Sequence, residues 1–293
     1  MGMYKISNSV PESVVNTAEA NLAEENKVKI GNNDNNKLKI GGSESKTFRS
    51  SCSNSGENVI IAVISNKGGV GKTSLAVIIS MYCAEKIGKK TLLLELDSSP
   101  GDFGSLFDIR TDKSLELALR FPKKYKNYIE NIYRNLDVLK GISNPLVAEG
   151  VKKGIIYNLL EHVCSDYKFI IVDNQTIING VMLDMLRISS TIFVVSDYSL
   201  ESISRISNLI DMLVDKFSIP KSRIKIIINK KQLFSFLKIG DVSKIIEFPI
   251  EAFVSLDRRF DKSIFLFNRR KILGTRFFKE VSKMLSKHTY YWS

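Results

Sequence analysis

The sequence is short of the residues that staple, ligate or anchor. Its three cysteines, Cys52, Cys83 and Cys164, lie far apart with no C-x-x-C pair, which argues against a disulfide framework or a zinc site and fits a reducing compartment. The two histidines, His162 and His288, have no acidic partner at ligand spacing and read as structural. No apolar run approaches the roughly 18 to 20 residues that a bilayer span needs, and Met1 to Val10 lacks the basic-then-apolar layout of a signal peptide. A soluble cytoplasmic chain is expected. Aromatic side chains are nearly missing from residues 1–57, which are rich in Asn, Ser, Glu, Lys and Gly with NNDNN at 32–36. Such a stretch cannot bury enough surface to offset the entropy of ordering, so 1–57 is expected to be a disordered or weakly ordered tail and 58–293 the folded domain.

What the chain does have in excess is positive charge, a formal +12 over 293 residues with 44% hydrophobic content. The first 57 residues carry seven basic and seven acidic side chains, whereas 255–287 carries ten basic and three acidic ones. The surplus therefore sits at the C-terminal end. It is either an ordinary solvated surface or a face that attracts nucleic acid or anionic lipid.

The chain is organised around Ser65 to Ser74, SNKGGVGKTS, between the apolar run Val59 to Ile64 and a helical pattern from Leu75. Strand, glycine-rich turn and helix in that order form the context of a phosphate-binding loop. Gly68, Gly69 and Gly71 let the backbone bring N–H groups, including that of Val70, close to phosphate oxygens. Lys72 would reach the β- and γ-phosphates, and Thr73, followed by Ser74, would offer its hydroxyl to Mg²⁺ at the positive end of the helix.

K-G-G-V-G-K-T at 67–73 resembles the deviant Walker A motif of the MinD/ParA family of P-loop ATPases. That resemblance implies an α/β fold of the P-loop NTPase type, a three-layer sandwich with a mostly parallel twisted sheet and helices on both faces. It also implies ATP and Mg²⁺ as ligands, slow partner-stimulated hydrolysis, and a homodimer when ATP is bound. Lys67 would then reach across that dimer to the partner's phosphates.

Carboxylates at the C-terminal ends of buried strands lie where ligands bind in open α/β sheets. Asp97 follows the strand Thr91 to Leu96, and Asp173 closes KFIIVD (168–173) in the Walker B arrangement. The resemblance gives Asp97 the hydrolytic role in switch I, with Glu95 where an Asp is usual, and gives Asp173 the metal role. Asn174, Gln175 and Thr176 replace the proline-containing turn of most members. After the strand Arg223 to Ile228 (RIKIII), Asn229 is placed to read the adenine edge, an amide being both donor and acceptor; a turn-forming Asn is the alternative.

Further along, a helix is expected over 150–165, a strand over 191–196 and a helix over 200–217. Residues 243–250 resemble the family's last strand, and a final amphipathic helix begins at Leu273. That helix either closes the sheet or, with Arg276, Lys279 and Lys283, targets a membrane. The segment GDFGSLFDI (101–109), with SLELALR (114–120) and NLDVLKG (135–141), resembles the CpaE/TadZ pilus-assembly ATPases. The reading this supports is a switch that localises a pilus or secretion apparatus. Its alternatives are a DNA-partition ATPase using Arg258, Arg259, Arg269, Arg270 or Lys271, and a nucleotide-gated binding module with negligible hydrolysis.

Overall fold

A computed structural model describes residues 58–96, 102–142, 144, 151, 154–232, 237–265, 267–288 and 292. The expected tail and Asp97 lie outside the described residues, as does much of the segment likened to the pilus-assembly switch region.

Eight strands form one sheet in the order β3-β4-β2-β5-β1-β6-β7-β8. They are β1 (Val59–Ile64), β2 (Thr91–Glu95), β3 (Glu130–Tyr133), β4 (Leu136–Leu139), β5 (Phe169–Asp173), β6 (Thr191–Asp197), β7 (Ile224–Lys231) and β8 (Ile250–Ser255). All neighbouring pairs run parallel except β3 with β4. The central strands read as unbroken β-branched runs because helices cover both faces. Along β1, Ile60, Ala62 and Ile64 enter one core and Val59, Ile61 and Val63 the other, as the two-residue period of a strand requires.

One core is closed by α3 (Leu115–Arg120), α4 (Ile155–Val163), α5 (Gly180–Ile188), α6 (Leu200–Asp211) and α7 (Ile239–Ile246). The other is closed by α1 (Lys72–Tyr82), α2 (Phe103–Leu106), α8 (Arg258–Ile264), α9 (Arg269–Gly274) and α10 (Arg276–Ser286). This is the expected three-layer α/β sandwich, of the P-loop NTPase type.

Several boundaries move. The Tyr-rich stretch expected to be helical up to Arg134 gives a 3₁₀ segment, Pro122–Tyr128, and then the antiparallel edge strand β3. Residues 243–250, likened to the last strand, begin as helix α7. Glu247 ends that helix at φ 50° and the strand follows from Ile250. Helix α4 is shorter than expected, its start fixed by Gly154 in the left-handed conformation. Helix α5 has no counterpart in the sequence reading; Asn179 caps it by accepting from the Met182 N–H at 2.9 Å, a capping contact worth about 1 kcal/mol.

Helix α10 resolves its own alternative. Phe277, Phe278, Val281, Met284 and Leu285 are all buried, and Phe277 stacks on Phe260 with centroids 4.3 Å apart. The apolar face meets the core and leaves only the basic side exposed. Among the described residues no helix is long and apolar enough to cross a membrane.

Candidate functional site

Parallel register brings the polar strand ends into one row. Glu95 on β2 pairs with Asp173 on β5, Asp173 pairs with Val63 on β1, and on the other side Asp197 on β6 pairs with Asn229 on β7. The glycine-rich loop leaves β1 in the middle of this row. Beside it opens a cleft of about 340 Å³ whose walls include Lys72, Thr73, Asn229, Lys230, Leu256 and Phe260.

The loop residues take the geometry their types suggest. Gly69 and Gly71 stand at φ 73° and 99°, and a Cβ on Gly68 or Gly69 would meet nothing within 4 Å. Open space in front of bare backbone is what a bulky anion requires. Helix α1 begins with no side-chain cap and no acidic residue in its first turn, so its N-terminal dipole faces the cleft uncompensated. Thr73 Oγ1 donates to Asp173 Oδ2 at 2.7 Å, and Lys72 Nζ lies 3.2 Å from Asp173 Oδ1. The carboxylate, 1% exposed, holds the hydroxyl and the ammonium side by side. An ammonium and backbone amides suit phosphate oxygens, and a hydroxyl with a carboxylate suits Mg²⁺ or its bound water. The residues present therefore fit a magnesium nucleotide.

Lys67 stands apart from this group. Its ammonium lies 3.5 Å from Asp197 Oδ2 and 3.3 Å from Glu201 Oε2 of the same chain. Burial pushes the Asp197 carboxyl up, but hydrogen bonds from Ser199 and Ser202 and the Lys67 charge outweigh it and hold the group below its ordinary value. Asn229 is buried in β7 rather than following the strand, and its amide donates to the Val70 carbonyl at 2.9 Å.

Glu95 is buried without a cation. Burial raises its pKa from an ordinary 4.5 to about 7, against the pull of the Gly141 and Phe103 N–H groups, while Asp173 and Asp102 add repulsion. The two N–H groups donate to opposite oxygens at 2.8 and 3.1 Å. Glu95 thus ties β2 to the first residue of α2 and to the turn after β4. Asn174 donates to the carbonyls of Val63 and Val172 at 3.2 and 3.1 Å, locking the place where a proline turn is usual.

Sequence reasoning passed over Asp197, Glu201 and Lys230. The rule that selected Asp97 and Asp173, a carboxylate closing a buried strand, selects Asp197 equally in TIFVVSD.

Site and sheet define a P-loop NTPase-type domain. The AAA domain family matches residues 58–226, more than half of the chain, and the chain belongs to that family. Two proteins of Methanocaldococcus jannaschii are each 29% identical to it. An uncharacterized one aligns over 167 residues, 52% of this chain and 64% of its own length. The other, an uncharacterized ATP-binding protein, aligns over 141 residues, 47% of this chain and 52% of its own length. The flagellum site-determining protein YlxH of Helicobacter pylori is 25% identical over 154 residues, 52% of each chain. The chain thus spans between 52% and 64% of the length of these curated relatives. Among solved structures, a ParA family ATPase from Chlorobium tepidum superposes with a TM-score of 0.70 at 20% identity, covering 77% of this chain and 98% of that one. The septum site-determining protein MinD of Pyrococcus horikoshii, complexed with Mg-ADP, gives 0.66 at 15% identity, covering 78% and 95%. The fold is that of the ParA and MinD proteins.

Proposed function

We propose that this protein is an ATP-dependent dimerising switch that hydrolyses ATP to ADP and phosphate and thereby positions a cellular machine. The observation that carries this reading is the convergence of Lys72 and Thr73 on Asp173 behind an open glycine loop, with Lys67 held to one side. Gly68, Gly69, Val70 and Gly71 would present backbone amides to the phosphates. Lys72 would neutralise their charge, and Thr73 and Asp173 would hold Mg²⁺, which supplies further neutralisation of the transferring phosphoryl group. Asp97 would orient the attacking water. Phosphoryl transfer depends on positioning and charge, so no further nucleophile is needed.

Magnitudes separate the two lysines. Lys67 and Glu201 side chains are 31% and 56% exposed, and pairs of that kind hold by about 0.2–1 kcal/mol. Lys72 and Asp173 are 10% and 2% exposed, where removing one partner costs about 3–5 kcal/mol. Lys72 is therefore fixed in its own site, whereas Lys67 is cheaply released to reach a second protomer.

Likeness to a flagellum site-determining protein supports a positioning role, and the sequence resemblance to pilus-assembly ATPases narrows it to a pilus or secretion apparatus. The second reading is DNA partition, favoured by Arg258, Arg259, Arg270 and Lys271, all exposed on neighbouring helices α8 and α9. Purified protein with MgATP should release phosphate and double its mass in light scattering. ATP binding without either event would reduce the protein to a nucleotide-gated binding module. Retention of DNA that falls steeply with salt would favour partition, and its absence at low salt would remove that reading.

A further inference from the structure

Resting on the reading of the loop as a nucleotide site, we propose that Asn229 and Lys230 form a clamp that fixes its phosphate-binding conformation, Lys230 being a positioning residue. Two successive loop carbonyls are held from the end of β7: Asn229 Nδ2 donates to Val70 O at 2.9 Å and Lys230 Nζ donates to Gly69 O at 2.6 Å. In a planar trans peptide the carbonyl of one residue and the N–H of the next point in opposite directions. Holding the Gly69 and Val70 carbonyls against β7 therefore turns the Val70 and Gly71 N–H groups the other way. Among the described residues neither of those N–H groups is paired with a backbone acceptor. They are left to an anion.

The clamp is built at a conformational cost. Lys230 stands at φ 56°, in the left-handed region that a lysine rarely adopts. In that conformation its N–H reaches Asn229 Oδ1 at 2.8 Å and fixes the plane of the amide. Gly71 completes the arrangement, because a Cβ there would lie 2.3 Å from Asn229 Nδ2. The Lys230 ammonium also offsets the partial negative charge of the Gly69 carbonyl, which would otherwise repel phosphate, and it adds positive potential to the cleft it lines. One Asn229 N–H and one lone pair are used in these contacts, leaving one of each for a base edge.

The test uses the full chain and three variants, Lys230→Met, Lys230→Gly and Lys230→Arg. Loss of a charge-assisted hydrogen bond predicts that Met and Gly weaken binding of a fluorescent magnesium-ATP analogue by about tenfold or more, with Arg restoring most of it. Glycine relieves the φ strain, so nucleotide-free Lys230→Gly should melt no lower than wild type while binding worse, a combination that a merely structural lysine would not give. Amide exchange over 68–71 in the nucleotide-free protein should be about tenfold faster in Lys230→Met, as expected for a lost contact of this size. Equal analogue affinity with unchanged loop exchange overturns the clamp. Wild-type protein that binds no analogue overturns the nucleotide reading instead, and unchanged exchange would then still overturn the clamp by itself.

Discussion

The Lys67 ammonium lies 3.3 Å from the Glu201 carboxylate of its own chain, on the helix that follows β6. A lysine committed to its own nucleotide would point into the cleft with Lys72; this one points aside to a weak, exposed partner. Lys67→Ala should therefore bind MgATP within about threefold of wild type, since only a pair worth under about 1 kcal/mol is lost, and should lose ATP-dependent dimerisation. Size-exclusion chromatography with light scattering reads both. A surviving ATP dimer removes the switch reading and leaves the phosphate loop intact.

Thr73→Val keeps the volume of the side chain and removes the hydroxyl that donates to Asp173 at 2.7 Å. If that hydroxyl serves Mg²⁺, the variant should lose about tenfold or more in affinity for MgATP, the equivalent of about 1.4 kcal/mol. Affinity for ATP in EDTA should change little. Titration calorimetry with and without magnesium gives the comparison, and equal losses in both would remove the metal role.

Asp97→Ala should retain the ATP-dependent dimer and lose phosphate release by about a hundredfold, the lower end of what a positioned base contributes. Unchanged turnover would sink the assignment of Asp97 to hydrolysis.

Glu95 predicts a pH dependence of stability. Its folded pKa of about 7 lies above the ordinary 4.5, so the folded state holds the proton more tightly than the unfolded chain. Stability should then fall as pH rises from about 4.5 to 7, and at about 1.36 kcal/mol per pH unit the loss approaches about 3 kcal/mol. Glu95→Gln cannot ionise. Its melting temperature should exceed expectation from wild type at pH 8 and lose that relative gain at pH 5; parallel curves for the two proteins would contradict the buried, protonated carboxyl.

Phe278→Ala distinguishes core helix from membrane anchor. The side chain is 2% exposed, and phenylalanine deletions in a core cost about 3–5 kcal/mol. A large drop in melting temperature is expected, with no change in sedimentation with anionic vesicles. The reverse result would return α10 to the membrane.

Much of this was legible because central parallel strands leave a strong trace. β1, β5 and β6 are continuous apolar runs closed by polar residues, and the loop 65–74 fits its motif at almost every position. The last strand was misplaced because EFPI (247–250) carries both an apolar pattern and a proline, whereas the chain ends its helix at Glu247 and pairs Ile250 with Ile226 only afterwards. β3 escaped because a short antiparallel edge strand, half exposed, has neither alternation nor a long apolar run. Lys230 could not be found by spacing at all: its role depends on a left-handed backbone and on a carbonyl 161 positions away in the chain.

Helices α1 and α10 pack against each other on the same face of the sheet. The foundation of the phosphate loop is therefore laid twice, first by the segment that begins at Lys72 and last by the segment that ends near Ser286. A nascent chain that has emerged only as far as β8 would hold the entire glycine motif and still lack one wall beneath it. Competence to grip a nucleotide should thus arrive late in synthesis, after nearly the whole protein has left the ribosome.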